Sequence, residues 1–234
     1  MSNNNAPQDN PLGFYDALYQ RKSIRAFRPE PVSRVVIERI LNAAARAPSG
    51  TNIQPWKVRV LTGAARQRLS DAVLLSRASN PGIEHWGYRY YPAKWQEPYL
   101  SRRRKVGWDM YGLLGIQRTE PDRMLAQQNR NFTFFDAPVG LVFTIDSMLE
   151  QGSWLDYGMF LQSLALAAEA EGLGTCLQAC WVAHSDVVSS VLSLGQNEHL
   201  VCGMALGYPD LESPVNRLTT ERAALDEFVT FIDD

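Results

Sequence analysis

The chain holds 234 residues, 45% of them hydrophobic and 21% charged, with 23 Lys and Arg against 25 Asp and Glu for a formal charge of -2. That length and composition bury a core without disulfides, which excludes a chain that is a disordered tail throughout, a fibrous repeat and a disulfide-scaffold miniprotein. The balanced charge supplies no global field for nucleic acid or an anionic membrane, so neither is an expected partner.

Residues 1–11, Met1 to Pro11, are polar and Asn-rich and read as a disordered arm ahead of a single domain over 12–234. They lack the basic and apolar blocks of a signal peptide. Phe14–Gln20 predicts a short helix that stops at the basic run Arg21-Lys22-Ser23-Ile24-Arg25. Ser33 suits the N-cap of a second helix, whose stripe is Val36, Ile37, Ile40, Leu41 and Ala44. Pro48, Gly50 and Pro55 break that pattern into a loop, and Lys57–Thr62 alternates as a strand. Ala65–Ser79 predicts a helix. An aromatic-rich insertion follows, with Trp86, Tyr88, Tyr90, Tyr91 and Trp95 near its start.

Tyr99–Ile116 predicts a further helix, weakened by Gly107, Gly112 and Gly115. Ala137–Ile145 has a buried-strand signature in Val139, Leu141, Val142 and Phe143. Trp154–Gly172 is rich in Leu and Ala all round, which places it deep in the core or in a subunit interface. Thr175–Trp181 is a short apolar stretch, His184–Leu194 a helix, Leu200–Gly207 a strand, and Arg222–Ile232 an extended arm. Helices outnumber strands, and the strands are too irregularly spaced for repeated βαβ units, so the fold class is α+β. No apolar run approaches the roughly 20 residues that cross a bilayer, and a cytoplasmic location is expected.

Several chemistries lack their motifs. There is no G-x-G-x-x-G opening a helix, no P-loop, no G-x-S-x-G elbow and no H-E-x-x-H. His85, His184 and His199 lie far apart and read as surface or cap residues. Cys176, Cys180 and Cys202 are too few and too clustered for a disulfide framework and have no zinc-pair spacing, so they read as buried structural thiols with no metal. The run Arg21-Lys22-Ser23-Ile24-Arg25 sets three cations and a hydroxyl within five residues. An arginine fork suits phosphate, although a solvated basic turn has the same composition. Downstream, Ala47-Pro48-Ser49-Gly50-Thr51-Asn52-Ile53-Gln54-Pro55-Trp56 offers small residues for close approach. Its Asn and Gln amides both donate and accept, as the imide edge or ribityl chain of a flavin requires.

Together these motifs resemble the FMN-dependent nitroreductase family of NAD(P)H oxidoreductases. Its N-terminal pattern pairs Arg-[Arg/His/Lys]-Ser-x-[Arg/Lys] with Pro-Ser-x-x-Asn-x-Gln-Pro-Trp. The likeness continues through Gly172-Leu173-Gly174-Thr175 before Leu177-Gln178-Ala179, Gly207-Tyr208-Pro209, and Arg222. The resemblance implies a central, mostly antiparallel sheet flanked by helices, and an intertwined homodimer with FMN sites at its interface. By the same resemblance Arg21, Lys22, Ser23 and Arg222 hold the FMN phosphate and ribityl chain. Arg25 sits beside the N1–C2=O edge, where a cation stabilises the charge gained on reduction. Pro48, Ser49, Gly50, Asn52 and Gln54 come from the neighbouring subunit, and Leu177, Gln178 and Ala179 pass near N5.

Two departures stand out. Ala179-Cys180 replaces the Glu-Gly of the best-known branch, and Thr220-Glu221-Arg222 replaces its Lys-x-Arg, leaving Lys22 to supply the second cation. The insertion over about 86–135 resembles a longer branch. There Tyr90 and Trp95 either lid the flavin and stack on a substrate ring or pack an amphipathic helix pair, and Asn131 and Phe132 would lie at the flavin edge. Arg102-Arg103-Arg104-Lys105 reads as a solvated helix face or a contact for the NADPH phosphate. The implied activity takes hydride from NADH or NADPH and reduces nitroaromatics or quinones by a ping-pong scheme. The competing readings are reductive dehalogenation, enone reduction, or a non-catalytic flavin-binding module.

Overall fold

The structure, a computed structural model, describes residues 13–233, so the arm expected over 1–11 lies outside the described residues. Helix α1 (Phe14–Gln20) and helix α2 (Arg34–Ala44) come first, α2 capped by the Ser33 hydroxyl, which accepts from the Val36 N–H at 3.4 Å. Strand β1 (Lys57–Thr62) leads straight into α3 (Gly63–Ser79). The insertion carries α4 (Tyr99–Leu113) and α5 (Pro121–Asn129). Then follow β2 (Val139–Asp146), α6 (Gln151–Ala170), β3 (Gly174–Gln178), α7 (Ser185–Leu192) and β4 (Glu198–Gly207).

The four strands form one sheet in the order β1-β2-β4-β3, every neighbouring pair antiparallel. This is the α+β class expected, with helices on both faces. Side chains alternate across β2, and each set meets its own layer. Val139, Leu141, Phe143 and Ile145 pack on α2 and α6, through Ile37, Ile40, Tyr157, Phe160 and Leu164. Val142 points the other way, into Leu69 and Val73 of α3, Val188 of α7, and Phe132, Phe134, Phe135 and Trp181. Each fully buried residue of this kind contributes about 1.5–3 kcal/mol. Gly203 permits the second layer its close approach, because a Cβ there would stand 2.4 Å from the Trp181 ring. Trp181 in turn stacks on Phe134 with centroids 4.5 Å apart.

Several expectations are corrected. The helix expected to reach Ile116 stops at Leu113, and Gly115 turns the chain with φ 61°. The helix expected over Trp154–Gly172 runs Gln151–Ala170, ended by Gly172 at φ 72°. Helix α5 went unread, although Pro121 at its first position and Asp122 in its first turn are helix-start signals. The apolar stretch expected to Trp181 is strand only to Gln178 and then a 3-10 turn, Ala179–Ala183. His184 caps α7 but is buried, at 3% exposure. Arg77 approaches its Nε2 at 3.0 Å. A guanidinium only donates, so Nε2 accepts and Nδ1 carries the proton. Burial, then the Arg77 charge, lower the pKa of this neutral imidazole.

At one end of the sheet Arg59 pairs with Glu198 at 2.8 Å, and the Thr144 hydroxyl donates to the same carboxylate at 2.7 Å. Those bonds, led by the one from Arg59, hold the Glu198 carboxyl below its usual range. A lowered folded-state value means the pair stabilises the fold above the unfolded carboxyl's pKa, about 4.3, and stops doing so as pH falls through the folded value. Glu198→Gln is therefore expected to cost about 1–3 kcal/mol near neutral pH. It should also flatten the acid limb of the stability curve; calorimetry over a pH series checks both.

Candidate functional site

Arg21–Arg25 runs extended along the free edge of β3. Ser23 pairs with Thr175 in parallel, and the Ile24 N–H donates to the Thr175 carbonyl at 2.9 Å. Gly174 makes this contact possible, since a Cβ there would stand 2.5 Å from the Ile24 side chain. Extended backbone alternates its side chains. Arg25, Ser23 and Arg21 therefore share one side, around Cys176, whose thiol burial raises while these three neighbours pull it down. Lys22 takes the other side with Ile24, in a hollow of about 240 Å³ shared with Glu169, Pro209 and Leu211. Glu169, near the C-terminal end of α6, has a pKa raised by burial and partly offset by the charges of Arg21 and Lys22.

Arg25 is half-buried, and its Nη1 donates to the Ser23 carbonyl at 3.2 Å. Its backbone N–H donates to Oδ1 of Asn216 at 2.7 Å, and Asn216 Nδ2 donates to the carbonyls of Ala26 and Asp210, each at 2.8 Å. Asn216 was not foreseen; a lone Asn in a polar stretch carries no signal. At the end of β3, Leu177 is 44% exposed while Gln178 is 2% exposed. Gln178 Nε2 donates to the Asn131 carbonyl at 2.7 Å, and its Oε1 accepts from the Trp181 indole at 3.3 Å. The Gln178 carboxamide is thus spent inside the protein, and only its backbone remains for a ligand. Ala179 is half-buried beside it.

The Pro48–Gln54 loop lies elsewhere. The Gly50 N–H donates to Asp156 Oδ2 at 3.1 Å, which ties the loop to the N-terminal end of α6, and Ser49 Oγ accepts from the Gln54 N–H at 3.0 Å. Thr51, Asn52 and Gln54 hold left-handed φ values of 48°, 60° and 50°. Such conformations in non-glycine residues cost of order 1 kcal/mol or more each, and they present the exposed Asn52 and Gln54 side chains outward. Asp156 and Glu169 lie thirteen positions apart on one helix, so the loop and the Arg21–Arg25 segment sit about 20 Å apart. The structure does not bring the two motifs together within one chain.

Nor does Arg222 join the Arg21–Arg25 segment. It is exposed and donates to Thr220 Oγ1 at 2.7 Å and to the Glu221 carbonyl at 2.9 Å. Phe132, expected at a substrate edge, belongs to the core. It is 2% exposed, edge-on to Trp181 and His184, with the Arg77 guanidinium 4.7 Å above its ring. Asn131 offers its carbonyl to Gln178, and its side chain bonds the Gln128 carbonyl at 2.9 Å. In the insertion, rings link from Trp154 through Tyr88, Tyr90 and Tyr91 to Trp95, where Arg103 caps both Tyr91 and Trp95. This ladder starts from α6 at Trp154, the same end that holds the Asn52 loop. Arg102 and Lys105 are ion-paired, to Glu227 and Asp109, both at 2.8 Å. Among the described residues no His, Cys, Asp and Glu cluster suits a metal, and no helix is long and apolar enough to cross a membrane.

A family model described as Nitroreductase family matches residues 18–208. The chain is 38% identical over 220 residues to the nitrobenzene nitroreductase of Ectopseudomonas oleovorans, covering 94% of this chain and 96% of that one. It is 40% identical over 219 residues to the 4-nitrobenzoate reductase of Pseudomonas putida, covering 93% and 95%. Among solved structures, the FMN and NADPH-dependent nitroreductase NfnB from Sphigopyxis sp. strain HMH superposes with a TM-score of 0.93 at 38% identity, covering 95% of this chain and all of that one.

The surroundings of the three thiols disfavour the reactive thiolate. Burial first, then a neighbouring thiol, pushes Cys180 and Cys202 up to about 12, and Cys176 is raised as well. All three are expected to resist iodoacetamide at mildly alkaline pH in the folded protein and to react once it is unfolded. Intact mass before and after denaturation checks this, and rapid labelling of the native protein would contradict it.

Proposed function

The chain belongs to the nitroreductase family, and on that premise we propose that it is a homodimeric FMN-dependent oxidoreductase. It would take hydride from NADH or NADPH and reduce nitroaromatic compounds, with quinones as further acceptors. The observation that carries the reading is the division of the FMN motifs between the two ends of α6. The residues fit the cofactor only as halves. Arg21, Ser23 and Arg25 supply cations and a hydroxyl, and the exposed amides of Asn52 and Gln54 supply paired donors and acceptors.

A two-fold axis resolves the separation. Isologous, antiparallel pairing of α6 lays the Asp156 end of one chain beside the Glu169 end of the other. The helix has an apolar outer stripe for such pairing, with Leu155 74% and Met159 40% exposed. Two further features support exchange between chains. Among the described residues the outer edge of β1 pairs with no other strand, and it borders a groove of about 740 Å³ lined by Pro31, Val32, Ile37, Leu41 and Val60. The C-terminal arm carries Phe228, Phe231 and Ile232 at 69%, 75% and 90% exposure. The aromatic ladder lies at the Asp156 end, so Tyr90 and Trp95 would enter the composite site from the same chain as the Asn52 loop.

When bound, FMN would supply the two-electron redox chemistry that links NAD(P)H to the nitro group or quinone. The protein's part is binding, orientation and field. Arg21 and Ser23 hold the phosphate, and Arg222 joins them once its arm is fixed in the dimer. Lys22 adds field from its separate hollow. Arg25 holds the developing negative charge at the pyrimidine edge. Leu177 and Ala179 wall the ring, and Pro48, Ser49 and Gly50 let the partner's loop come close. The proposed compartment is the cytoplasm, where free thiols persist.

The purified protein is expected to be yellow with bound FMN and to bleach when NAD(P)H is added without oxygen. A colourless protein that binds no added FMN would end this reading. The shared site makes a sharper prediction. Arg25→Ala and Gln54→Ala should each be inactive as homodimers, yet their co-expressed mixture should regain about a quarter of wild-type activity, because a heterodimer holds one intact site. No recovery in the mixture would place both residues in sites built from one chain.

A further inference from the structure

We infer that Asn216 is a positioning residue for Arg25, setting where that cation meets the flavin; the inference rests on the FMN reading above. The reason lies in how the chain leaves β3. Up to Ile24 the segment is held by β3, through the bond from the Ile24 N–H to Thr175. From Ala26 onward it is held by the stretch after β4. The Asp210 N–H donates to the Ala26 carbonyl at 3.0 Å, and the Arg28 N–H to the Tyr208 carbonyl at 2.9 Å. Arg25 stands at the crossing, where neither backbone partner serves its N–H.

The Asn216 carboxamide fills that gap with all its groups. Its oxygen takes the Arg25 N–H at 2.7 Å, and its nitrogen gives to Ala26 and Asp210 at 2.8 Å each. It is 3% exposed, in a 3-10 turn (Pro214–Arg217) anchored in the core by Val215 at 0%. One acceptor and two donors on a short stem is an asparagine inventory: aspartate lacks the donors and serine the reach. Asn216 is also neutral, so it fixes the cation without altering its field. Arg21 and Ser23 depend on β3, not on Asn216. Loss of Asn216 should therefore disturb the flavin's electronics while leaving phosphate binding in place.

The test uses the full-length holoprotein with Asn216→Ala and the milder Asn216→Ser, each alone and with Arg25→Ala. FMN affinity is expected to change by less than about threefold, while the reduced-to-oxidised flavin ratio at a fixed dye potential falls about tenfold, or ~30 mV for two electrons. In the Arg25→Ala background the same Asn216 substitution should move that ratio by less than about twofold, since a residue acting through another is not additive with it. Equal shifts in both backgrounds would overturn the assignment. So would a loss of FMN affinity matching the shift in ratio, or failure of both single variants to fold. A wild type that holds no flavin would instead overturn the FMN reading and this one with it.

Discussion

A helix of 20 residues keeps its two ends apart, and the proposed site follows from that length. Helix α6 lies against the sheet through Tyr157, Phe160, Leu164 and Ala168, all nearly inaccessible to water. No bend is open to it without emptying that layer, and cavities in such a core are costly. Asp156 grips one motif at its start, and Glu169 sits under the other near its end. The chain thus carries its two motifs on separate surfaces, which in the proposed reading it cannot apply to one ligand alone.

The opposite face of the sheet does different work. Trp181 lies flat where Gly203 leaves room, stacks on Phe134, and meets Phe132 edge-on. Phe134, Phe135 and Asp136 all hold left-handed φ values, between 53° and 65°. That arrangement persists because both phenylalanine rings are sealed from water. The gain is placement: the turn leading into it offers the Asn131 carbonyl to Gln178, and Gln178 reaches back to Trp181. Packing on one face therefore fixes the strand end whose backbone borders the proposed cofactor.

Local physics made part of this legible from residues alone. Helix α1, strand β1 and the Ser33 cap are set by neighbours in sequence, and punctuation by Arg21, Pro55 and Gly63 marks their limits. The cation run and the amide loop stood out as motifs for the same reason. What stayed hidden depends on distant contacts. His184 looks like a surface residue until Arg77 and Phe132 close over it. Phe132 looks like an available aromatic until Trp181 claims it. Gln178 reads as a polar ligand, but its amide is consumed by partners 47 residues back and three ahead. Asn216 bonds a segment 191 residues away, and no pattern in its own neighbourhood announces that.

The split of the motifs along α6 has a thermodynamic consequence. In the proposed dimer a ligand gripped by two chains at once would bind the pair and neither chain by itself, so cofactor loading and subunit association would become a single linked equilibrium. Dilution would then shed flavin, and flavin scarcity would loosen the pair. The amount of holoenzyme would follow the square of free chain concentration at the dilute limit, making cofactor supply a control on assembly as well as on turnover.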